Sequence, residues 1–551
     1  MNNINRIFFV TFLIFISIFP ILSLFHPGLP ITHDGQDHVA RIANFYKNLT
    51  EGNIIPRWAG NLNWGYGHPI LEFLYPLPSY IASLFHFLRF PLVDSTKIVF
   101  GMGMILSFLF MYLWLSKFIS KYSALFGAVL YTYAPYRFVE LYVRGDIGEN
   151  LAFAFVPLVL LFIYKIYKYN KFTDAIWGSF SLAFLILSHN AISLMFMPFV
   201  FLYCVMLVYF SKNKIGIFIN LFFLFAMGFG MSAFFWIPGL LEGKYTLRNI
   251  VTKGEYLRRF VSLKDVLYGS WSYGGTGEFT VQFGPFAWIS IVAVPFTLRK
   301  LNKNKEKLYL AILAFIYLLL AIFLMLSISN FVWTKILLLQ NFQFPWRFLA
   351  ITVFTTSVLG AIVVDKIPRR YQAWFSVLLI VLILVLSKDY MSPKGYLQNP
   401  EVFYTGIYEG TTDTGESAPI WSVRFMEKEP RANLEIVDGQ ANIKDLVRKS
   451  TYHKYHVVVN RKTIFRENTL YFPGWEIRAN GKPVSIEFQV PHQNGTMEFN
   501  LDKGEYIIEA IYKETKLRLF ANVVSLVCLG NITAGLIILF YGKVRYRKEN
   551  L

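Results

Sequence analysis

The sequence predicts a mostly α-helical, polytopic transmembrane bundle with an extracytoplasmic, β-sandwich-like domain near its C-terminal end. Three observations carry this prediction. Of 551 residues, 55% are hydrophobic and only 16% charged, and a mean hydropathy of +0.44 is too apolar for a chain that faces water throughout. Apolar runs of roughly 20 residues, enough to cross a bilayer, recur along most of the chain. After residue 389 those runs give way to short alternating stretches separated by turn dipeptides. The same composition excludes a disordered, collagenous or disulfide-stapled protein.

The first run, 7–25, is long and has no small-residue cleavage site after it, so it reads as an uncleaved first span with its N-terminus inside. Further runs lie near 97–116, 122–136, 150–167, 172–188, 191–210, 215–237, 284–298, 308–328, 346–364, 372–387 and 517–541, which makes about twelve crossings. The net charge of +19 would suggest nucleic acid on a soluble protein. Here its placement points to orientation instead. Threading the chain through the runs puts Arg6, Lys117, Lys121, Lys165, Lys168, Lys171, Lys212 and Lys214 inside. It adds Arg299, Lys300, Lys303, Lys305, Lys307, Lys366, Arg369, Arg370, Lys543, Arg545, Arg547 and Lys548. Every second connection is thus short and basic, as the positive-inside rule requires, with both termini cytoplasmic in a plasma membrane and no nucleic-acid partner.

That parity requires 71–90 not to cross. The stretch contains Pro76 and Pro78 and is interrupted by His86 and Arg89, which suits a juxtamembrane helix. Three large segments then face outward: 28–95, 238–283 and 388–515. The domain plan is a transmembrane unit over 1–388 with outer loops 28–95 and 238–283, a β-rich outer domain over 389–515, and a last span with a basic cytoplasmic tail over 516–551. In the outer domain, alternation at 455–459, 469–472, 497–501 and 506–512 is punctuated by Pro473-Gly474, Asn480-Gly481, Asn494-Gly495 and Lys503-Gly504. Cys204 and Cys528 both fall in expected spans, so that domain relies on its core and not on a disulfide.

Titratable groups concentrate in the outer segments. After the first span comes His33-Asp34-Gly35-Gln36-Asp37-His38-Val39-Ala40-Arg41. Asp34 sits where a helix would start, with Val39, Ile42, Ala43, Tyr46 and Leu49 on one face and Asp34, His38 and Arg41 on the other, a pattern expected of a helix lying flat on the bilayer. Asp34 has two readings, an N-cap or a functional carboxylate, and Asp37 can pair with Arg41 four residues on. Two histidines and two aspartates within six positions favour the functional one. A second constellation is Tyr136-Arg137, then Tyr142-Val-Arg144-Gly-Asp146-Ile-Gly-Glu149-Asn150. Asp146 and Glu149 suit either a helix N-terminus or a hard divalent cation, and Arg144 suits an anion. Ser188-His189-Asn190 and Gln343-Phe-Pro-Trp-Arg347 add polar islands at expected outer ends of spans.

The order of these parts, together with Gly52-Asn-Ile-Ile-Pro56-Arg-Trp58 and Phe73-Leu-Tyr-Pro76-Leu-Pro78-Ser-Tyr80, resembles the GT-C glycosyltransferase superfamily. More closely it is similar to bacterial YfhO-like proteins and to the multispan membrane proteins labelled 6-pyruvoyl-tetrahydropterin synthase-related. The tail Tyr471-Phe-Pro-Gly-Trp475-Glu-Ile-Arg-Ala-Asn-Gly481-Lys resembles the outer β-domain of YfhO-like proteins. The resemblance implies an inverting transferase that moves a sugar from a polyprenyl-phosphate carrier to an extracytoplasmic glycan, lipid or protein acceptor. It implies Asp34 as base or metal-linked acid, with Asp146 or Glu149 as the second acid.

The site residues expected on these grounds are Asp34 and Glu149 for catalysis. His33, His38, Arg144, His189, Asn190 and Arg347 are expected to bind substrate or phosphate, and Asp34 with Asp146 to hold a divalent cation, Mg or Mn. Two other classes compete: a flippase for lipid-linked saccharides, and a non-catalytic envelope assembly protein whose Tyr471, Trp475 and Tyr506 hold a polymer. Charged groups clustered at outer ends, with no internal repeat, count against transport.

Overall fold

The computed structural model describes residues 3–275, 278–301, 304–489 and 493–549; Lys303 lies outside them, as do the side chains of Arg6, Lys543, Arg545, Arg547 and Lys548. The chain opens with α1 (Asn3–Ile18), β1 (Leu29–Pro30), α2 (Gly35–Thr50), α3 (Ile70–Phe73) and α4 (Leu77–Phe87). The helical body follows as α5 (Leu92–Leu115), α6 (Lys121–Thr132), α7 (Pro135–Phe138), α8 (Ile147–Tyr169), α9 (Phe172–Ser188), α10 (Asn190–Phe210) and α11 (Lys214–Met231). Short helices α12 (Ala233–Leu241), α13 (Arg248–Val251) and α14 (Leu263–Leu267) lead to α15 (Pro285–Lys300), α16 (Lys305–Met325), α17 (Asn330–Lys335), α18 (Leu337–Gln340), α19 (Leu349–Val364) and α20 (Arg369–Ser387). Then come β2 (Tyr396–Leu397), α21 (Val402–Thr405), β3 (Leu434–Arg448), β4 (Tyr452–Leu470), β5 (Trp475–Ala479), β6 (Lys482–Val484), β7 (Thr496–Leu501), β8 (Gly504–Tyr512) and α22 (Lys516–Glu549).

Among the described residues, eight helices are long and apolar enough to cross a membrane: Leu92–Leu115, Ile147–Tyr169, Asn190–Phe210, Lys214–Met231, Lys305–Met325, Pro345–Val364, Arg369–Tyr390 and Lys516–Ile537. Four of the twelve expected runs are shorter. Thr11–Phe25 and Phe172–Ser188 are apolar but brief. Run 122–136 yields only the 12-residue α6, because Pro135 starts a new helical turn. Run 284–298 yields a 16-residue helix with Pro295 inside it.

Two spans stand apart: 89% of the Ile147–Tyr169 window and 94% of the Pro345–Val364 window are buried inside the protein. Such helices are apolar all round, and any polar group at their ends must find its partner in the protein. Stretch 71–90 gives α3 and α4; the latter has 11 residues, about 16 Å, too short to cross.

The first outer loop is not a helix lying on a bilayer. In α2, His38, Arg41, Asn44 and Asn48 are buried along with Val39, Ile42, Ala43 and Phe45. Its apolar face packs on α4 and α5, and its polar face is roofed by residues 395–412. There β1 pairs with β2, Tyr408 donates to Asp37 Oδ1 at 2.8 Å, and Arg41 donates to the Thr412 carbonyl and to Thr412 Oγ1. Asp37 therefore finds Tyr408, and Arg41 finds His38 and Thr412, in place of the local pair expected between them.

The C-terminal strands form one six-stranded antiparallel sheet, in the order β3-β4-β8-β5-β6 with β7 also on β4. Where the turn spacing leads one to expect a small antiparallel sandwich or barrel, the strands are joined in one continuous hydrogen-bonded sheet. Its 19-residue β4 pairs with β8 over Tyr452–Val459 and with β7 over Thr463–Leu470. Bulges in the β3–β4 register bend the pair between those halves, so the sheet encloses its own core of Val457, Phe465, Phe472, Trp475 and Phe499. Trp58 and Phe73 of the first loop complete that core.

A buried ion cluster joins sheet, loop and last helix. Arg518, at the start of α22, pairs with Glu72 at 3.0 Å and with Glu242 at 2.6 Å. Arg57 pairs with Glu514 at 2.8 Å alongside. Burial pushes Glu72 up to about 8 against the pull of Arg518, so one glutamate carries a proton at neutral pH and the Arg518 cluster is close to neutral. Arg518→Ala leaves Glu242 buried without its cation, a loss of about 3–5 kcal/mol. Thermal unfolding in detergent should show a markedly lower midpoint for this variant; an unchanged midpoint would mean the cluster does not hold the junction.

Candidate functional site

The loop between α7 and α8 builds the site. After α7 the backbone winds into a π-helical turn over Val139–Arg144, a geometry that adds one residue per turn and is often found at functional sites. Gly145 then reverses the chain at φ +70°, where a Cβ would lie 2.2 Å from Thr32 Oγ1. Asp146 caps α8, its Oδ1 accepting the Glu149 N–H at 2.8 Å. Gly148 lets the turn sit against Tyr75, whose ring would be 2.1 Å from a Cβ there.

These turns gather three carboxylates on one guanidinium. Arg144 Nη1 donates to Glu140 Oε1 and Oε2 at 2.5 and 2.7 Å and to Glu149 Oε2 at 3.1 Å. Its Nη2 donates to Asp146 Oδ2 at 3.1 Å. The guanidinium lies 4.7 Å from the Trp346 ring centroid. Around this centre, Tyr136 donates to Glu149 Oε1 at 2.7 Å and Tyr75 to Asp146 Oδ1 at 3.1 Å. Arg347 approaches from α19, its Nε 3.6 Å from Glu149 Oε2; this Nε is buried without a hydrogen-bond partner, while Nη1 donates to the Phe342 carbonyl at 3.0 Å. Burial alone would raise the Asp146 carboxyl, but His189 and Arg144 outweigh it and hold it well below the usual range.

Asp34 is placed against this cluster by the backbone. Its N–H donates to the Arg144 carbonyl at 2.9 Å, and the His33 N–H donates to the Val143 carbonyl at 2.9 Å. The residue occupies the N-cap position of α2 without using its side chain as a cap; Thr32 Oγ1 takes the Gly35 N–H instead, at 3.1 Å. Among the described residues, the half-buried Asp34 carboxylate has no hydrogen bond or ion pair. Burial, reinforced by Asp146 and Asp37 and opposed by Arg144 and Arg41, raises it to about 6.

The other expected residues divide. His33 stands beside Asp34 with Nε2 buried and unpartnered. His38 is a strut: Nδ1 lies 3.0 Å from Arg41 Nη1, and Nε2 lies 3.4 Å from the Ile147 N–H at the start of α8. Burial, with Arg41 beside it, lowers His38 to about 3, so the ring is neutral. Asn190 is exposed, and its side chain donates to the Phe73 carbonyl at 3.0 Å, away from Arg144. Glu140, Tyr75 and Tyr136 belong to the cluster but were not among the expected residues. Glu140 precedes Arg144 by four, a spacing that could have flagged it.

Asp146, Glu149 and His189 bring one ligand atom each within 4.8 Å of one another, a spacing compatible with a divalent cation. Asp34 is not in that group. The bonds already made oppose a metal there. His189 Nδ1 accepts the Ile192 N–H at 3.1 Å, which leaves the ring proton on Nε2, the atom that faces Asp146 at 3.7 Å. Arg144 already bridges the two carboxylates. As arranged, the donor set suits the guanidinium and does not suit an added ion.

Comparison with known proteins adds the following. An uncharacterized protein of Lactococcus lactis subsp. cremoris (strain MG1363) is 26% identical over 313 residues, which are 54% of this chain and 50% of that one. The chain thus spans about half the length of this curated relative. The arabinofuranosyltransferase AftD from Mycobacteria overlays with a TM-score of 0.49 at 14% identity, covering 72% of this chain and 28% of that one. The Archaeoglobus fulgidus oligosaccharyltransferase, solved in complex with zinc and sulfate, overlays with a TM-score of 0.41 at 14% identity, covering 73% and 58%. The family model for the 6-pyruvoyl-tetrahydropterin synthase related domain of membrane proteins matches residues 71–393, more than half of the chain and nearly all of the helical body around Arg144. The protein belongs to this family of membrane proteins.

Proposed function

We propose that the protein is an inverting membrane glycosyltransferase of the GT-C type, transferring a sugar from a polyprenyl-phosphate carrier to an acceptor outside the cytoplasm. The observation that carries this reading is the Asp34 carboxylate. It is unpaired, partly open, raised to about 6, and tied by its own backbone to the Arg144 carbonyl at the end of the π-helical turn. A carboxyl that neither caps nor pairs, set beside a rigid cationic cluster, has what a general base needs.

In the proposed reaction Asp34 takes the proton of the acceptor hydroxyl. The acceptor oxygen bonds to the anomeric carbon as the carbon–phosphate oxygen bond breaks, and the electron pair leaves on the lipid phosphate. A single displacement inverts the anomeric centre. The unpartnered Arg347 Nε and His33 Nε2 are the donors left free to meet the developing phosphate charge. Glu149, Glu140 and Asp146 hold Arg144 and Arg347 in place, so Glu149 acts by positioning and not by proton transfer. In this reading the site and the sheet face outward, and the four shorter helical runs complete about twelve crossings with both termini inside.

With membranes supplied with a polyprenyl-phosphate sugar, Asp34→Asn should lower transfer by about 10²–10⁴-fold. Wild-type transfer should fall as pH drops through about 6, where Asp34 takes up its proton. Transfer that survives Asp34→Asn undiminished would end the assignment.

The same residue gives a stability test. Its folded value near 6 lies above the ordinary 3.8, so ionising it opposes folding and the penalty is fully present above pH 6. Asp34→Asn should therefore stabilise the protein at pH 7.5, by about 1 kcal/mol after allowance for partial exposure. The gain should shrink to nothing near pH 4, as followed by thermal unfolding at the two pH values. A destabilised variant at pH 7.5 would mean that Asp34 is a structural group.

A further inference from the structure

At the end of the helices opposite the candidate site lies a cavity of about 350 Å³, lined at its rim by Lys117, Lys168 and Lys307 and at its floor by Phe118, Tyr164 and Tyr203. Helix α8 connects the two places: Glu149 is in its first turn and Lys168 in its last. The 19 helical steps from one to the other span about 28 Å, close to the thickness of a bilayer core. The cavity therefore opens at the other membrane face.

The lysines come from three separate helices and are not spent on each other's neighbours. Lys117 follows the last turn of α5, Lys168 ends α8, and Lys307 starts α16. Lys307 pairs with Asp365 at 2.8 Å, and Glu306, which also lines the cavity, accepts from the Tyr167 hydroxyl at 2.7 Å and keeps its negative charge. The exposed Lys117 and Lys168 make no ion pair among the described residues, so the recess sets two unpaired lysines against one carboxylate. Basic residues at helix C-termini complement the helix dipole and mark topology. Neither effect requires two of them to share one recess with a third, where a single carboxylate leaves a net positive charge that an entering anion would balance.

The recess also borders surface suited to acyl chains. On α10 and α16, which form one wall, Val205 is 66% and Ile316 59% exposed in rows that face away from the bundle. A free anion has no use for such a wall, whereas a lipid places its headgroup in the basic recess and its tails along those rows. Basic pockets between transmembrane helices recognise anionic headgroups in this way, and the volume is within the range of small-ligand sites. We infer that this cavity binds the phosphate headgroup of an anionic phospholipid drawn from the leaflet opposite the candidate site. The inference is independent of the transferase reading.

The test uses full-length protein, delipidated in detergent and titrated with phosphatidylglycerol or phosphatidylcholine, with bound lipid read by native mass spectrometry. Wild type should retain phosphatidylglycerol about tenfold or more over phosphatidylcholine. Lys117→Ala with Lys168→Ala should lose that preference, and Lys117→Arg with Lys168→Arg should keep it. Arg369→Ala with Arg370→Ala, a change of exposed charge outside the cavity, should leave it intact. Equal retention by the double alanine variant would overturn the inference, and so would equal loss in the Arg369/Arg370 variant. Displacement by millimolar inorganic phosphate as effective as displacement by phosphatidylglycerol would overturn the lipid assignment in favour of free phosphate.

Discussion

Burying the Arg144 guanidinium would cost several kcal/mol without partners, and the site is organised around supplying them. Its three carboxylates come from one short stretch, but no regular helix could present them together. The π-helical turn carries Glu140 toward Arg144, Gly145 reverses the chain, and Asp146 and Glu149 return as cap and first turn of α8. Asp146 and Glu149 have further support, which Tyr75, Tyr136, His189 and Arg347 supply. Helices α8 and α19 are sheathed by the rest of the bundle because both ends of this network are anchored on them.

Against that saturated cluster, Asp34 is conspicuous for what it lacks. The roof over residues 395–412 takes up Asp37 and Arg41, His38 is spent between α2 and α8, and Thr32 does the capping. These neighbours have structural tasks, whereas the Asp34 carboxylate has no hydrogen bond or ion pair among the described residues. In the proposed reaction this separates a rigid electrostatic frame from the carboxylate that exchanges a proton. The Arg518 cluster serves the same end from farther away, since it locks the sheet and last helix onto the loop that carries Asp34.

Much of this was legible from residue pattern. Periodic apolar runs located the long spans, the prolines in 71–90 foretold a helix too short to cross, and alternation with turn dipeptides located the strands. Candidate site residues were found as dense titratable islands: His33 and Asp34, Asp146 and Glu149, His189, and Arg347. What was not legible was who pairs with whom. Asp34 could be a cap or a functional carboxylate by pattern, and Thr32 takes the Gly35 amide in its place. Asp37 and Arg41 looked like an i, i+4 pair, yet partners about 370 residues away take them. Glu140 was passed over because its neighbours are apolar, and a π-turn leaves no signal in hydropathy.

By itself, then, the sequence determined the membrane class, the order of helical and strand regions, and the small set of charged side chains available for chemistry. Those are properties of local composition and period, set by what a bilayer core or a pleated surface accepts. Only the tertiary structure decided that α2 is buried and not laid on a membrane, that the strands share one bent sheet, and that Arg144 bridges the carboxylates of Asp146 and Glu149. Long-range pairing decides these, because a buried charge takes whichever partner the packed chain brings within reach, however far away in sequence.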